Sequence, residues 1–69
     1  MVNIALLREK IDDCGMSMTE VARRLNIDPS TLYRKFEREG ETFTVKQAGE
    51  LAEMLGLAAI DAQNIFFSR

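Results

Sequence analysis

A small all-α domain of four or five short helices is predicted by three observations. Apolar residues recur at spacings of three and four along most of the chain. Helix-starting residues and glycine stops punctuate that pattern. Nothing reads as a strand pair: the nearest candidate, residues 41–45, is short, sits beside Gly40 and reads as a loop. With 69 residues, 1–69 is predicted to be one domain with a limited core.

The first helix is predicted over 3–14. Ile4, Leu7 and Ile11 share one face, and Gly15 supplies the left-handed residue that stops it. The second starts after Ser17, whose spacing to Glu20 is that of a capping box, and ends near Leu25. Met18, Val21, Ala22 and Leu25 form its buried stripe. The third has the clearest start. Asp28 suits the N-cap and Pro29 the first helical position, where no N–H is needed. It runs over about 29–38, with Leu32 and Phe36 inward, and ends before Gly40.

The fourth helix begins after Thr44, which pairs with Gln47 as a second capping box, and Gly56 ends it. Val45, Ala48, Leu51, Ala52 and Leu55 are predicted on its buried side. A fifth, short helix spans 59–65, with Leu57, Ile60 and Ile65 inward. Of the adjacent Phe66 and Phe67, one completes the core and the other is left for a dimer contact. Cys14 reads as a small buried residue and the four methionines as core fillers.

Composition narrows the function. One cysteine excludes an intrachain disulfide, and the absence of histidine removes the usual zinc sites. No apolar run approaches the roughly 20 residues of a membrane span. The opening residues lack a signal-peptide pattern, because Arg8, Glu9 and Lys10 cut short the apolar stretch before them. A cytoplasmic setting is the expectation. No catalytic set, cofactor motif or small-molecule site is visible, so a non-enzymatic protein is expected. The net charge is −2, but residues 19–38 carry five positive and three negative side chains, or +2, and residues 39–69 carry two and five, or −3. The middle of the chain is therefore the part able to attract a polyanion.

Residues 18–36 form two short helices joined by a tight turn at 25–27. Ala22 lets the second cross close to the first, and Leu25, Ile27 and Leu32 fill the angle between them. A rigid pair of this shape can present its second helix to a DNA groove while the first spans the backbone. The outer face of that second helix holds Ser30 and Arg34, flanked by Thr31, Tyr33, Glu37 and Arg38. Arg donates two hydrogen bonds to guanine, and Ser and Thr bond base edges or phosphates. The same face would also serve as the solvated side of a helical bundle.

The stretch Val21-Ala-Arg-Arg-Leu-Asn-Ile-Asp-Pro-Ser-Thr-Leu-Tyr-Arg34 resembles the helix-turn-helix of the Cro and lambda-type repressor family. Leu55-Gly-Leu and Ile65-Phe-Phe look like a subgroup of short phage-encoded regulators. The resemblance covers nearly the whole chain and is most specific from Ala22 to Arg34. It implies four or five helices, the third in the major groove of double-stranded operator DNA, and a homodimer as the expected assembly. By position it assigns base reading to Pro29, Ser30 and Arg34. Pro29 has no side-chain donor, and Thr31 and Tyr33 join the reading set. Two departures stand out: Asn26 replaces the usual glycine of the turn, and Met18 the glutamine that often opens the second helix. The phosphate role of that glutamine passes to Ser17 or Thr19, or is lost. Arg23, Arg38, Thr42 and Lys46 are further phosphate candidates. The charged ones have an alternative as solvated side chains, and Lys46 stands out because it sits unfavourably for the helix dipole. Glu37 would face a polyanion unless it pairs with an arginine or accepts from a cytosine amino group. A second function class stays open: a helical interaction module, antirepressor or adaptor, that does not bind DNA. The acidic second half and the mute Pro29 position favour it.

Overall fold

The computed structural model describes residues 2–67 and contains five helices: α1 (Ile4–Asp13), α2 (Met18–Arg24), α3 (Pro29–Glu37), α4 (Val45–Met54) and α5 (Ala59–Phe66). Residues 41–44, where the weak strand signal lay, form turn and loop.

Three helices start on a side-chain cap. Asn3 Oδ1 accepts from Leu6 N at 3.1 Å, Ser17 Oγ from Glu20 N at 3.1 Å and Thr44 Oγ1 from Gln47 N at 3.0 Å. Such caps stabilise a helix by about 1 kcal/mol each. Only Thr44 has the reciprocal bond, with Thr44 N donating to Gln47 Oε1 at 3.1 Å. The box predicted at Ser17 is half-made, because the Glu20 carboxylate takes arginine partners instead. Asp28 occupies the N-cap of α3, yet its side chain makes no capping bond.

α1 to α4 end alike. The residue after each C-cap turns to positive φ: Gly15 at 69°, Asn26 at 62°, Glu39 at 55° and Gly56 at 62°. The following N–H then folds back five residues: Met16 N to Ile11 O, Ile27 N to Ala22 O, Gly40 N to Lys35 O and Leu57 N to Ala52 O, all at 3.2 Å or less. Glu39, rather than glycine, takes the left-handed position after α3, a conformation that is unfavourable for a side chain with Cβ. Gly40 has φ 75° as well and lies against Val2, so that a Cβ there would come within 2.6 Å of Val2 Cβ.

The helices close around one cluster. Leu7, Ile11, Val21, Leu32, Leu51 and Ile65 are fully buried, and Ala22, Leu25, Phe36, Leu55 and Phe66 complete it. Among the described residues no polar or charged side chain is buried. Asn3 N donates to Ile65 O at 2.6 Å, which ties the entry of α1 to α5. Three predictions need correction. Val45 is 89% exposed and Ile60 61% exposed. At about 100° per residue, Val45 sits roughly 120° from Leu51 around α4, and Ile60 roughly 140° from Ile65 around α5. The helix phase is set by the leucines and by Ile65, and both outliers are turned out. Cys14 is exposed rather than buried, and its thiol donates to Leu55 O at 3.6 Å. The two terminal aromatics divide as expected: Phe66 belongs to the core, and Phe67, one step further, is 72% exposed.

Candidate nucleic-acid interface

α2 and α3 are joined through Leu25, Asn26, Ile27 and Asp28. Ala22, fully buried, lets the helices approach; Leu25 and Leu32 fill the angle and Ile27 is half-buried at its edge. Asn26 adopts the left-handed conformation expected of it, so the turn keeps its shape without glycine. These contacts fix the direction of α3 relative to α2.

The outward side of α3 is polar. Ser30, Arg34 and Glu37 are exposed, and helical steps of four and three residues place them on one stripe. Tyr33 beside them is 46% exposed, and Thr31 is half-buried. Arg34 Nε reaches Ser30 O at 3.4 Å, a weak bond that leaves the rest of the guanidinium uncommitted. Glu37 makes no ion pair among the described residues.

A shallow hollow opens at the α2–α3 turn, lined by Thr19, Arg23, Asn26, Asp28, Pro29 and Thr31. It gathers two phosphate candidates, Thr19 and Arg23, beside Thr31 of the reading set. The other phosphate candidates lie elsewhere. The Ser17 hydroxyl is engaged as a cap, and Lys46 is exposed at the second position of α4. The Thr42 carbonyl accepts from Lys35 Nζ at 2.7 Å. Arg38 shares a separate depression with Glu37, Glu39 and Glu41, whose carboxylates oppose a phosphate.

Arg23 is not a free cation. Its Nη2 donates to both Glu20 oxygens at 2.8 and 2.7 Å, and Arg24 Nε donates to Glu20 Oε2 at 3.1 Å. The hydrogen bond from Arg23, then that from Arg24, holds the Glu20 carboxyl below its ordinary value, and the Arg23 guanidinium is raised in return. Arg23 remains 73% exposed, so the pair is open to exchange with solvent or phosphate.

Three residues near the site escaped the sequence argument. Asn26 and Asp28 line the hollow, although turn and cap chemistry alone had drawn attention to them. Lys35 straps the end of α3 to the following loop, its ammonium 5.6 Å from the centre of the Phe43 ring. Nothing in spacing marks that contact, which joins residues seven and eight apart across a loop. Among the described residues no cluster of acidic, cysteine or histidine side chains is placed to hold a metal ion, and no helix is long and apolar enough to cross a membrane.

Residues 5–38, just under half of the chain, match the family model described as Bacterial regulatory protein, Fis family. They contain nearly all of α1, the whole of α2 and α3, and the turn between them. No curated protein and no solved structure matches the chain. The chain is therefore a helix-turn-helix DNA-binding regulator of the bacterial kind, with α2 and α3 as its motif.

Proposed function

We propose that the chain is a transcriptional repressor of the Cro and lambda type, encoded by a phage or mobile element, which occupies operator DNA and excludes polymerase. The observation that carries this reading is the exposed stripe of α3, with Ser30, Tyr33 and Arg34, next to the hollow at the turn. α3 enters the major groove. Arg34 leaves its weak bond to Ser30 and donates two of its guanidinium N–H groups to a guanine edge, the contact for which a planar fork is suited. Ser30 bonds the neighbouring base, and Thr31 and Tyr33 hold the flanks of the groove. Thr19 and Arg23 meet phosphates from the hollow, with Ser17, Arg38 and Thr42 as outer contacts. Few base contacts per subunit call for a homodimer on two half-sites, about 34 Å apart.

Selection of bound sequences from a random duplex pool tests this reading. One enriched motif in inverted repeat is the expected result, with affinity that falls steeply as salt rises because bound counterions are released. A pool with no enriched sequence, or binding insensitive to salt, would overturn it.

A further inference from the structure

An apolar groove runs along α4. Ala48, Gly49 and Ala52 line it together with Phe43 and Phe66, and the exposed Val45 and Phe67 are its rim. Those rim side chains are 89% and 72% exposed. Gly49 stands in the middle of α4, where glycine weakens a helix. Its own fold does not require it: a Cβ there would meet nothing within 4 Å. The charges beside the groove are ordered. Lys46 lies three residues before Gly49 and Glu53 four after it, and neither is paired among the described residues.

We infer that this groove receives α4 of a second copy of the chain, antiparallel and crossing at Gly49. The charge order selects that arrangement. The 1.5 Å rise puts Lys46 roughly 4.5 Å before Gly49 and Glu53 roughly 6 Å after it along the axis. A two-fold axis through Gly49, perpendicular to both helices, brings Lys46 of each copy level with Glu53 of the other. A parallel two-fold pair would turn unlike flanks together and set Lys46 and Glu53 of each copy against the Val45 and Ala52 side of the other, with neither charge paired. The same axis carries like flanks onto like flanks. On one side of Gly49, Val45 of each copy comes level with Ala52 of the other, while both ion pairs fall on the other side. One patch is thus complementary to itself in apolar surface and in charge, as a two-fold interface requires. Glycine at the crossing lets the two backbones approach closely, which explains its presence in the helix. The inference rests on the proposed DNA reading only for its consequence, the joint presentation of two copies of α3.

Sedimentation equilibrium of the full chain without DNA tests it, and so separates its failure from failure of the operator reading. A concentration-dependent dimer is expected. Gly49→Leu, which has open space around it, abolishes the dimer while leaving helical content unchanged. Lys46→Glu and Glu53→Lys each weaken association about tenfold or more, and the double exchange restores it. A chain that stays monomeric at millimolar concentration, a dimer indifferent to Gly49→Leu, or a double exchange no better than either single one would overturn the inference. If Lys46 acted on phosphate alone, Lys46→Glu would lower DNA binding and leave self-association untouched.

Discussion

α2–α3 and α4–α5 each contribute two short helices to the same core, and they differ in what they leave outside. Between Met18 and Glu37 the only large apolar side chain turned outward is Tyr33, which carries a hydroxyl. The second pair and the residue after it expose Val45, Ile60 and Phe67. Charge divides the same way, +2 over residues 19–38 against −3 over residues 39–69. A surface that meets phosphate needs donors and cations, whereas one that meets protein can be apolar and acidic. The two regions are therefore suited to different partners, and the core they share sets their relative orientation.

The largest expected effect separates a buried aliphatic residue of the first region from an exposed one of the second. Leu32 is fully buried between α2 and α3, and Leu32→Ala is expected to cost about 2–5 kcal/mol. That approaches the whole stability of so small a domain, so circular dichroism should find the variant largely unfolded. Val45→Ser, at an 89% exposed position, should stay within about 0.5 kcal/mol of the parent chain. Equal melting temperatures for the two variants would break the division between core and rim. Next in size is Arg34→Ala. Loss of a bidentate base contact is expected to weaken binding to the selected operator by about 1–3 kcal/mol, with melting unchanged. Fluorescence anisotropy on operator and scrambled duplexes reads this directly. An equal loss on both would assign Arg34 to phosphate rather than to base.

Much of the fold was legible because the signals were local. Caps at Ser17 and Thr44, proline at position 29 and glycine after α1 and α4 act within one turn of the chain, and the helices begin and end beside them. The turn through Asn26 was legible for the same reason. The misplacements concern which way a helix faces. Val45 and Ile60 are apolar and helical as expected, but their orientation depends on how Leu51, Leu55 and Ile65 meet residues distant in sequence. Short helices make this worse, since one residue's shift turns a face through about 100°. The candidate site divides likewise. The exposed stripe of Ser30 and Arg34 follows from helix periodicity. The diversion of Glu20 from its box to two arginines is a choice between two local partners that spacing does not decide.

A smaller effect tests the end of α3 against the turn that ends α2. Glu39 and Asn26 both hold positive φ, at 55° and 62°. Asparagine tolerates this conformation and glutamate does not. Glu39→Gly is therefore expected to stabilise the chain by about 1 kcal/mol, whereas Asn26→Gly should change stability by only a few tenths. Urea denaturation monitored by circular dichroism measures both. A destabilised Glu39→Gly would mean that the Glu39 side chain makes a compensating contact.

The smallest effect sets the two capping boxes against each other. At Thr44 a neutral glutamine closes the box; at Ser17 the charged Glu20 gives its carboxylate to Arg23 and Arg24. An unfolded glutamate titrates near 4.5, and folded Glu20 lies below that, chiefly through the hydrogen bond from Arg23. The arginine pairing is thus fully present above the unfolded value and is lost as pH falls through the lower, folded one. Glu20→Gln has no such pairing at any pH, but it is free to close the box as Gln47 does. The parent chain should be slightly the more stable at neutral pH, by a margin that shrinks with salt because the pair is exposed. Below the folded value the order should vanish or reverse, since protonated Glu20 has lost its arginines while the glutamine keeps its cap. Melting curves of both chains in a series from about pH 7 downward, to the most acid condition in which the parent chain still folds, decide it. A parent chain that keeps its advantage in acid would show that Glu20 acts at the start of α2 through its shape and not its charge. The exposed Arg23 beside the hollow would then owe its position to something other than the ion pair.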